Sequence, residues 1–172
     1  MHSLIRAISL GLFLVVLLPL PLLAACSKDS SSGHEGAVTA PQGNCGHTAC
    51  GSNFFIDAVP PATCAPGANC QVQLSLVATG EYHINDDYPY KFKADEVPQV
   101  VFQGTDPAGP NVFSKTANNW QKTGAQKGAM NVVFQATDKG AKNISGTFKL
   151  SVCSEHNCQL EQTAVAAAVS VN

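Results

Sequence analysis

Arginine is almost absent from this chain, and its scarcity argues against one large class of function. The single arginine, Arg6, lies near the N-terminus, and nine lysines stand against twelve aspartates and glutamates. Proteins that bind nucleic acid usually carry a dense basic patch and use the arginine fork to grip phosphate groups. The sequence has no such basic run, so we expect no nucleic-acid partner.

Long apolar runs are also missing, apart from one at the N-terminus. Residues 8–23 are almost wholly apolar, and Leu23-Ala24-Ala25-Cys26 closes the run. The run is short for a membrane span, and two prolines interrupt it. Leucine followed by small residues and a cysteine is typical of bacterial lipoprotein signals, in which the cysteine receives diacylglycerol. We therefore predict a signal peptide over residues 1–25, lipidation of Cys26 and a lipid anchor in a membrane.

The residue after the lipidated cysteine predicts where the anchored protein resides. Ser27 follows Cys26, whereas an aspartate at this position commonly marks retention in the inner membrane. We expect an exported protein at the outer membrane facing the periplasm, or at the cell surface. Disulfides persist in these compartments.

The remaining six cysteines predict disulfides. Lipidation of Cys26 would use one of seven cysteines and leave an even number in an oxidising compartment. They fall into three closely spaced pairs: Cys45 and Cys50, Cys64 and Cys70, Cys153 and Cys158. Spacing alone does not fix the connectivity, and cross-pairing between the first two pairs stays open.

No convincing helical periodicity occurs after residue 26, and the apolar residues alternate with polar ones instead. Residues 26–52 are polar and rich in glycine, serine and proline, which predicts a flexible tether that matters little for stability. Residues 53–172 predict an all-β domain, an antiparallel β-sandwich of immunoglobulin type. The expected strands are 53–59, 70–79, 90–93, 100–103, 111–115, 130–137, 143–153 and 158–171.

The last cysteine pair attracts most interest because it flanks a four-residue loop. Two strands joined by such a loop form a common hairpin, in which Cys153 and Cys158 would be opposite each other. A bond that closes so short a loop contributes only about 2 kcal/mol. It could be a structural pin or an exchangeable bond, with Glu155 and His156 in the loop acting on its sulfurs in opposite senses. A zinc site of Cys153, His156 and Cys158 is disfavoured, since one hairpin offers three ligands at most.

Three segments together resemble a known family. Gly80–Asn85 (GEYHIN), Tyr88–Phe92 (YPYKF) and the late hairpin from Phe148 to Cys158 are similar to the N-terminal periplasmic domain of DsbD-type thiol:disulfide interchange proteins. That resemblance, over roughly residues 70–171, implies an immunoglobulin-like fold that passes reducing equivalents to periplasmic partners. It implies that Cys153 and Cys158 are the exchanging, catalytic pair.

The resemblance also implies neighbours for that pair. Tyr82 and His83 would lie at a strand end beside the sulfurs. The loop from Gly104 to Lys122, with Phe113 and Trp120, would form a cap that shields them. His156 lies in the hairpin loop itself.

The sequence therefore supports two functional hypotheses. The first is thiol–disulfide exchange, or binding of a redox partner such as a thioredoxin-like protein, at the membrane surface. The second is a non-catalytic binding or structural lipoprotein whose disulfides are all pins. No glycine loop for phosphate and no calcium-binding spacing occurs in the sequence, so we expect no cofactor and no metal.

Overall fold

The computed structural model describes residues 38–39 and 45–172. The predicted signal peptide, Cys26 and much of the predicted tether lie outside the described residues. Within the described ranges the chain forms strands, turns and loops, with no helix, and hence no helix suited to crossing a membrane.

The described residues form twelve strands. In chain order they are β1 (Val38–Thr39), β2 (Ala49–Cys50), β3 (Phe54–Val59), β4 (Asn69–Ala78), β5 (His83–Ile84), β6 (Lys91–Ala94), β7 (Val100–Phe102), β8 (Val112–Ser114), β9 (Trp120–Gly124), β10 (Lys127–Ala136), β11 (Gly140–Cys153) and β12 (Cys158–Val171).

The strands form two sheets. One has the order β1-β12-β11-β6-β8, with β5 also paired to β11, and the other has the order β2-β3-β4-β10-β7, with β9 also paired to β10. Every pairing is antiparallel except that of β1 with β12. The domain is an immunoglobulin-like antiparallel β-sandwich, as predicted.

Alternating side chains of the two sheets build the core between them. On β4 the residues predicted to share one face, Val72, Leu74 and Leu76, are buried. On the β11–β12 hairpin every residue predicted to face inward is buried: Phe148, Leu150, Val152, Val165, Ala167, Val169 and Val171. Ser151, predicted to face outward, is buried as well. The period-two pattern of the sequence therefore marks the core face of the long strands.

Strand pairing begins earlier in the chain than the predicted boundary at residue 53. Ala49 pairs with Ile56, Cys50 pairs with Phe55, and Ala49 is buried in the core. The backbone N–H of Ala58 also donates a hydrogen bond of 2.9 Å to the Thr48 hydroxyl. These contacts extend the second sheet into the segment predicted to be tether.

Two aromatic residues have a different place from the one that the family resemblance implied. Phe113 is fully buried and packs edge-on against Phe102, with ring centroids 6.2 Å apart. Trp120 is 7% exposed and stacks on Tyr90 at 4.1 Å. Both rings belong to the hydrophobic core, so the cap that they were expected to form over the sulfurs is wrong.

Candidate functional site

The β11–β12 hairpin brings Cys153 and Cys158 directly opposite each other. The two residues are register partners, with Cα atoms 4.0 Å apart, and their sulfurs are bonded. The loop between them consists of the four residues predicted from the spacing. The disulfide therefore lies at the mouth of the hairpin, where the two longest strands of the fold meet.

Ser154 holds the hairpin loop in shape. Its backbone N–H donates to the carbonyl of Asn157 at 2.8 Å, and its hydroxyl accepts from the N–H groups of His156 and Asn157 at 3.3 and 3.2 Å. Local bonding of this kind is the usual way in which serine fixes a tight turn. The loop is therefore defined by its own hydrogen bonds, while the side chains of Glu155 and His156 stay exposed.

The two cysteines of the hairpin differ in their exposure to solvent. Cys153 is only 6% exposed, whereas Cys158 is exposed. Both point to the outer face of the first sheet, because the core-facing neighbour of Cys153 is Val152, which is fully buried. Cys158 is therefore the more accessible of the two residues to a reagent arriving from solvent.

His83 is brought beside this disulfide by β5. It is the register partner of Cys153 on the side of β11 that is opposite to Cys158. Directly opposed residues of antiparallel strands project to the same face, so the imidazole and both sulfurs share the outer face of the sheet. Of the neighbours that the family resemblance implied, His83 is thus on the strand next to Cys153.

Hydrogen bonds tie the short β5 strand and the turn before it to the rest of the domain. The Ile84 N–H donates to the carbonyl of Ala125 at 2.8 Å. The side-chain amide of Gln126 donates to the carbonyls of Gly80 and Tyr82 at 2.8 and 3.1 Å. The half-buried Tyr82 packs against the core. These bonds fix β5, and with it His83, against β11.

A charged pair lies close to His83: Asp86, in the turn that follows β5, and Lys122, on β9. The ammonium group of Lys122 lies 2.6 Å from the carboxylate of Asp86. This hydrogen bond holds the pKa of Asp86 below its ordinary value, and the nearby charges of Lys115 and His83 act in the same direction. The carboxylate therefore stays ionised beside the histidine, although it is exposed and screened by solvent.

The buried Tyr90 forms a hydrogen bond to β11 near the disulfide. Its hydroxyl donates a 2.6 Å hydrogen bond to the carbonyl of Ser151, two residues before Cys153, and burial raises its pKa above the ordinary value. The side-chain amide of Asn85 donates to the Ser151 hydroxyl at 3.2 Å. These two hydrogen bonds hold Ser151, and with it the end of β11 that carries Cys153.

The other two disulfides are also local, and their surroundings differ. Cys64 and Cys70 are bonded to each other and are 5% and 2% exposed. The C-terminal Asn172 N–H donates to the carbonyl of Cys64 at 2.9 Å, at the far end of β12 from the hairpin. Cys45 and Cys50 form the third bond. Cross-pairing between these two pairs, which the spacing left open, does not occur.

His47, in the loop between Cys45 and Cys50, contacts two side chains of β3. Its ring stacks on Phe55 with centroids 3.8 Å apart, and its Nδ1 lies 2.9 Å from a carboxylate oxygen of Asp57. Both partners belong to β3, so the histidine helps to hold the Cys45–Cys50 loop on that strand. Sequence spacing gave no indication of this contact.

No metal site accompanies these histidines and cysteines in the described part of the chain. Residues 38–39 and 45–172 contain no group of three or more His, Cys, Asp or Glu arranged to hold an ion. The cysteines considered as zinc ligands, Cys153 and Cys158, are bonded to each other.

Comparison with known proteins gives weak likenesses. No family model matches the chain, and no curated protein matches it. Among solved structures, the chain is similar to a cohesin module from a Clostridium perfringens family 33 glycoside hydrolase, with a TM-score of 0.40 and 9% identity over 70% of this chain and 96% of that one. It is also similar to PapD-like domain 7 of human CEP192, with a TM-score of 0.24 and 13% identity over 80% of this chain and 95% of that one. Neither likeness bears on the function of this chain.

Proposed function

We propose that this chain is an exported lipoprotein, anchored through Cys26, whose β-sandwich exchanges disulfides with a redox partner through Cys153 and Cys158. Three disulfides in one small domain are consistent with an extracellular protein. The resemblance of the late hairpin to DsbD-type domains supports the choice of this pair. The proposed location is the outer membrane facing the periplasm, or the cell surface.

The observation that carries the proposal is the asymmetry of the hairpin disulfide. The exposed residue Cys158 is bonded to the buried residue Cys153, and a histidine is paired with the buried member. Exchange needs one accessible sulfur for attack and a second that departs as a thiolate in a favourable environment. Cys64 and Cys70 are both buried residues, so their bond lacks the first of these features.

The exchange that we propose has two steps. A thiolate of a reduced dithiol partner attacks the sulfur of Cys158, the Cys153–Cys158 bond breaks, and Cys153 leaves as a thiolate that takes up a proton. The partner's second thiolate then attacks the partner's own sulfur in the mixed disulfide and releases Cys158. The partner loses two electrons and becomes a disulfide, and the hairpin gains them as two thiols.

The double variant Cys153→Ala/Cys158→Ala tests the assignment of the pair. Because the bond closes a short loop and contributes only about 2 kcal/mol, the variant should still fold. It should no longer oxidise a reduced thioredoxin-like protein, followed by alkylation of the thioredoxin thiols. The matched control Cys45→Ala/Cys50→Ala should keep the exchange. Equal exchange by both variants would reject the assignment and leave the alternative, a lipoprotein with purely structural disulfides.

The lipid anchor has a separate test. Cys26→Ser should abolish metabolic labelling with a radioactive fatty acid and release the protein from the membrane fraction or leave it unprocessed. A variant that keeps its label and its membrane partitioning would contradict lipidation at this cysteine.

A further inference from the structure

Three lysines lie together on the outer face of the first sheet, the face that carries the hairpin disulfide. Lys91 and Lys149 are register partners across β6 and β11, and Lys93 is paired with Thr147 on the same face. Like charges directly opposite each other on a sheet are unfavourable. A cluster of this kind is unexpected in a chain in which acidic residues outnumber lysines.

The positive charge of this cluster is only partly balanced. The ammonium group of Lys91 lies 3.8 Å from the buried carboxylate of Asp106. Lys93 and Lys149 are exposed and form no ion pair with another residue in the described ranges. The carboxylate of Asp95, which accepts a hydrogen bond of 2.7 Å from the Ser145 hydroxyl, lies farther along the same face. Three lysines still outnumber these two carboxylates, so this part of the outer face has a net positive charge, and an anionic partner would relieve the repulsion between the lysines.

An apolar residue lies between the lysines and the disulfide. Leu160 is 64% exposed and is the register partner of Ser151, two residues beyond Cys158 on the same face of β12. Lys149 lies on β11 two residues before Ser151, and therefore farther from the disulfide. From Cys153 to Lys149 the distance along the strand is about 13 Å, at about 3.3 Å per residue. The exposed Cys158, Leu160 and Lys149 thus follow one another along the outer face of the first sheet, beside the buried Ser151 and Cys153.

We propose that this surface, from Cys158 through Leu160 to Lys149 and Lys93, docks an acidic protein partner during exchange. The proposal rests on the proposed function and adds the chemistry of the partner. That partner carries a reactive cysteine with an apolar residue beside it and acidic residues about 13 Å away, within reach of a short extended segment. Charge complementarity would speed the encounter with such a partner more than it would strengthen the final complex.

Three synthetic peptides test the partner's chemistry on the full chain. Each peptide has one reduced cysteine, a leucine two residues after it and two variable positions after the leucine. Both variable positions are glutamate in the first peptide, serine in the second and lysine in the third. We expect the glutamate peptide to react fastest with the hairpin disulfide and the lysine peptide slowest. The advantage of the glutamate peptide should fall as salt rises, because exposed charges are screened.

Substitutions then identify the surface. Lys93→Glu/Lys149→Glu should slow the glutamate peptide by about tenfold or more, and Leu160→Ser should slow all three peptides. Lys149→Glu alone should slow the glutamate peptide in the same direction. Its matched control is Lys139→Glu, which makes the same change of charge in the turn at the other end of β11 and should have no effect. The rate with the uncharged dithiol dithiothreitol should stay within about twofold in every lysine variant.

Each contrary result has a distinct meaning. Absence of reaction with dithiothreitol would overturn the proposed function and the docking surface together. Normal reaction with dithiothreitol and equal rates for the three peptides would overturn the docking surface alone. If the lysine variants leave the peptide rates unchanged but weaken binding to vesicles of anionic phospholipid, the face binds lipid and the docking of an acidic protein is overturned.

Discussion

His83 on β5 is the direct register partner of Cys153 on β11. Cys158, the disulfide partner of Cys153, lies on β12, the strand on the other side of β11. The buried sulfur is thus flanked by a histidine on one neighbouring strand and by its bonded sulfur on the other. In the proposed exchange this arrangement would give the leaving thiolate a specific neighbour, and it can be tested residue by residue.

His83→Ala should slow reduction of the hairpin disulfide by dithiothreitol at neutral pH by about tenfold, less than a fully positioned proton donor contributes. The reason is that an imidazole beside the departing sulfur can supply charge or a proton to it. The rate is measured by alkylation of the released thiols and mass spectrometry. His156→Ala is the comparison, since His156 lies in the exposed loop. A larger effect at His156 than at His83 would contradict the role given to the strand pairing.

The Cys45–Cys50 segment should stabilise the domain. A chain that begins at residue 52 lacks buried Ala49, the hydrogen bond to Thr48 and the stacking of His47 on Phe55. We expect it to lose about 2 kcal/mol of unfolding free energy relative to a chain that begins at residue 45, from lost burial and one lost hydrogen bond. Calorimetry should then show melting several degrees lower. Equal melting temperatures would mean that the segment is only a tether.

Gly128 should tolerate no side chain, because Trp120 lies against it. A Cβ built at Gly128 would lie 2.2 Å from an atom of the Trp120 ring, which is itself stacked on Tyr90. Gly128→Ala should therefore cost about 1–3 kcal/mol, the usual penalty for overpacking a core. Gly124→Ala is the control, since its Cβ would meet its nearest neighbour at 3.9 Å. The midpoint of urea unfolding should fall for the first variant only.

Asp106 should make stability depend on acid pH. Its carboxylate accepts hydrogen bonds from the Ser114 hydroxyl at 2.5 Å and from the Ala108 N–H at 2.9 Å, which together hold its pKa below the ordinary value of 3.8. Lys91 acts weakly in the same direction. A carboxyl whose pKa is lower in the folded state stabilises the fold above the unfolded pKa, and that contribution is lost as pH falls through the folded pKa.

The measurement for Asp106 compares urea unfolding of the natural chain and of Asp106→Asn from pH 7 to pH 2. The natural chain should be more stable at pH 7, and the difference should stay constant to about pH 5 and then shrink toward acid. Asp87→Asn, a substitution at an exposed loop residue, should show no comparable change. A difference between natural chain and Asp106→Asn that does not vary with pH would contradict this account of Asp106.

The sequence predicted the parts of the fold in which one face of a strand is buried. β4, β10, β11 and β12 were recognisable because each buries alternate residues over much of its length, so apolar and polar residues alternate in the sequence. The hairpin disulfide was also predictable, since both cysteines belong to one local turn. The shorter strands β3, β6, β7 and β8 were also predicted, to within one residue at each end. β1, β2, β5 and β9 were not predicted, and the physical reasons differ.

β9 lacks the pattern because only its first residue, Trp120, is buried while the other four are exposed. β2 contributes one buried alanine within a polar stretch, so its sequence looks like a linker. The pairing of His83 with Cys153 joins distant parts of the chain through a two-residue strand, and no local signal encodes it. The core positions of Phe113 and Trp120 likewise depend on which rings pack across the two sheets.

The redox potential of the Cys153–Cys158 pair decides between an exchanging bond and a structural pin. The protein is equilibrated in graded glutathione buffers, free thiols are alkylated, and mass spectrometry assigns each disulfide separately, with Cys64–Cys70 as the internal reference. The hairpin pair should open first, at a potential well above about −300 mV. If it stays oxidised below about −300 mV together with Cys64–Cys70, the hairpin bond is a structural pin and the exchange function is contradicted.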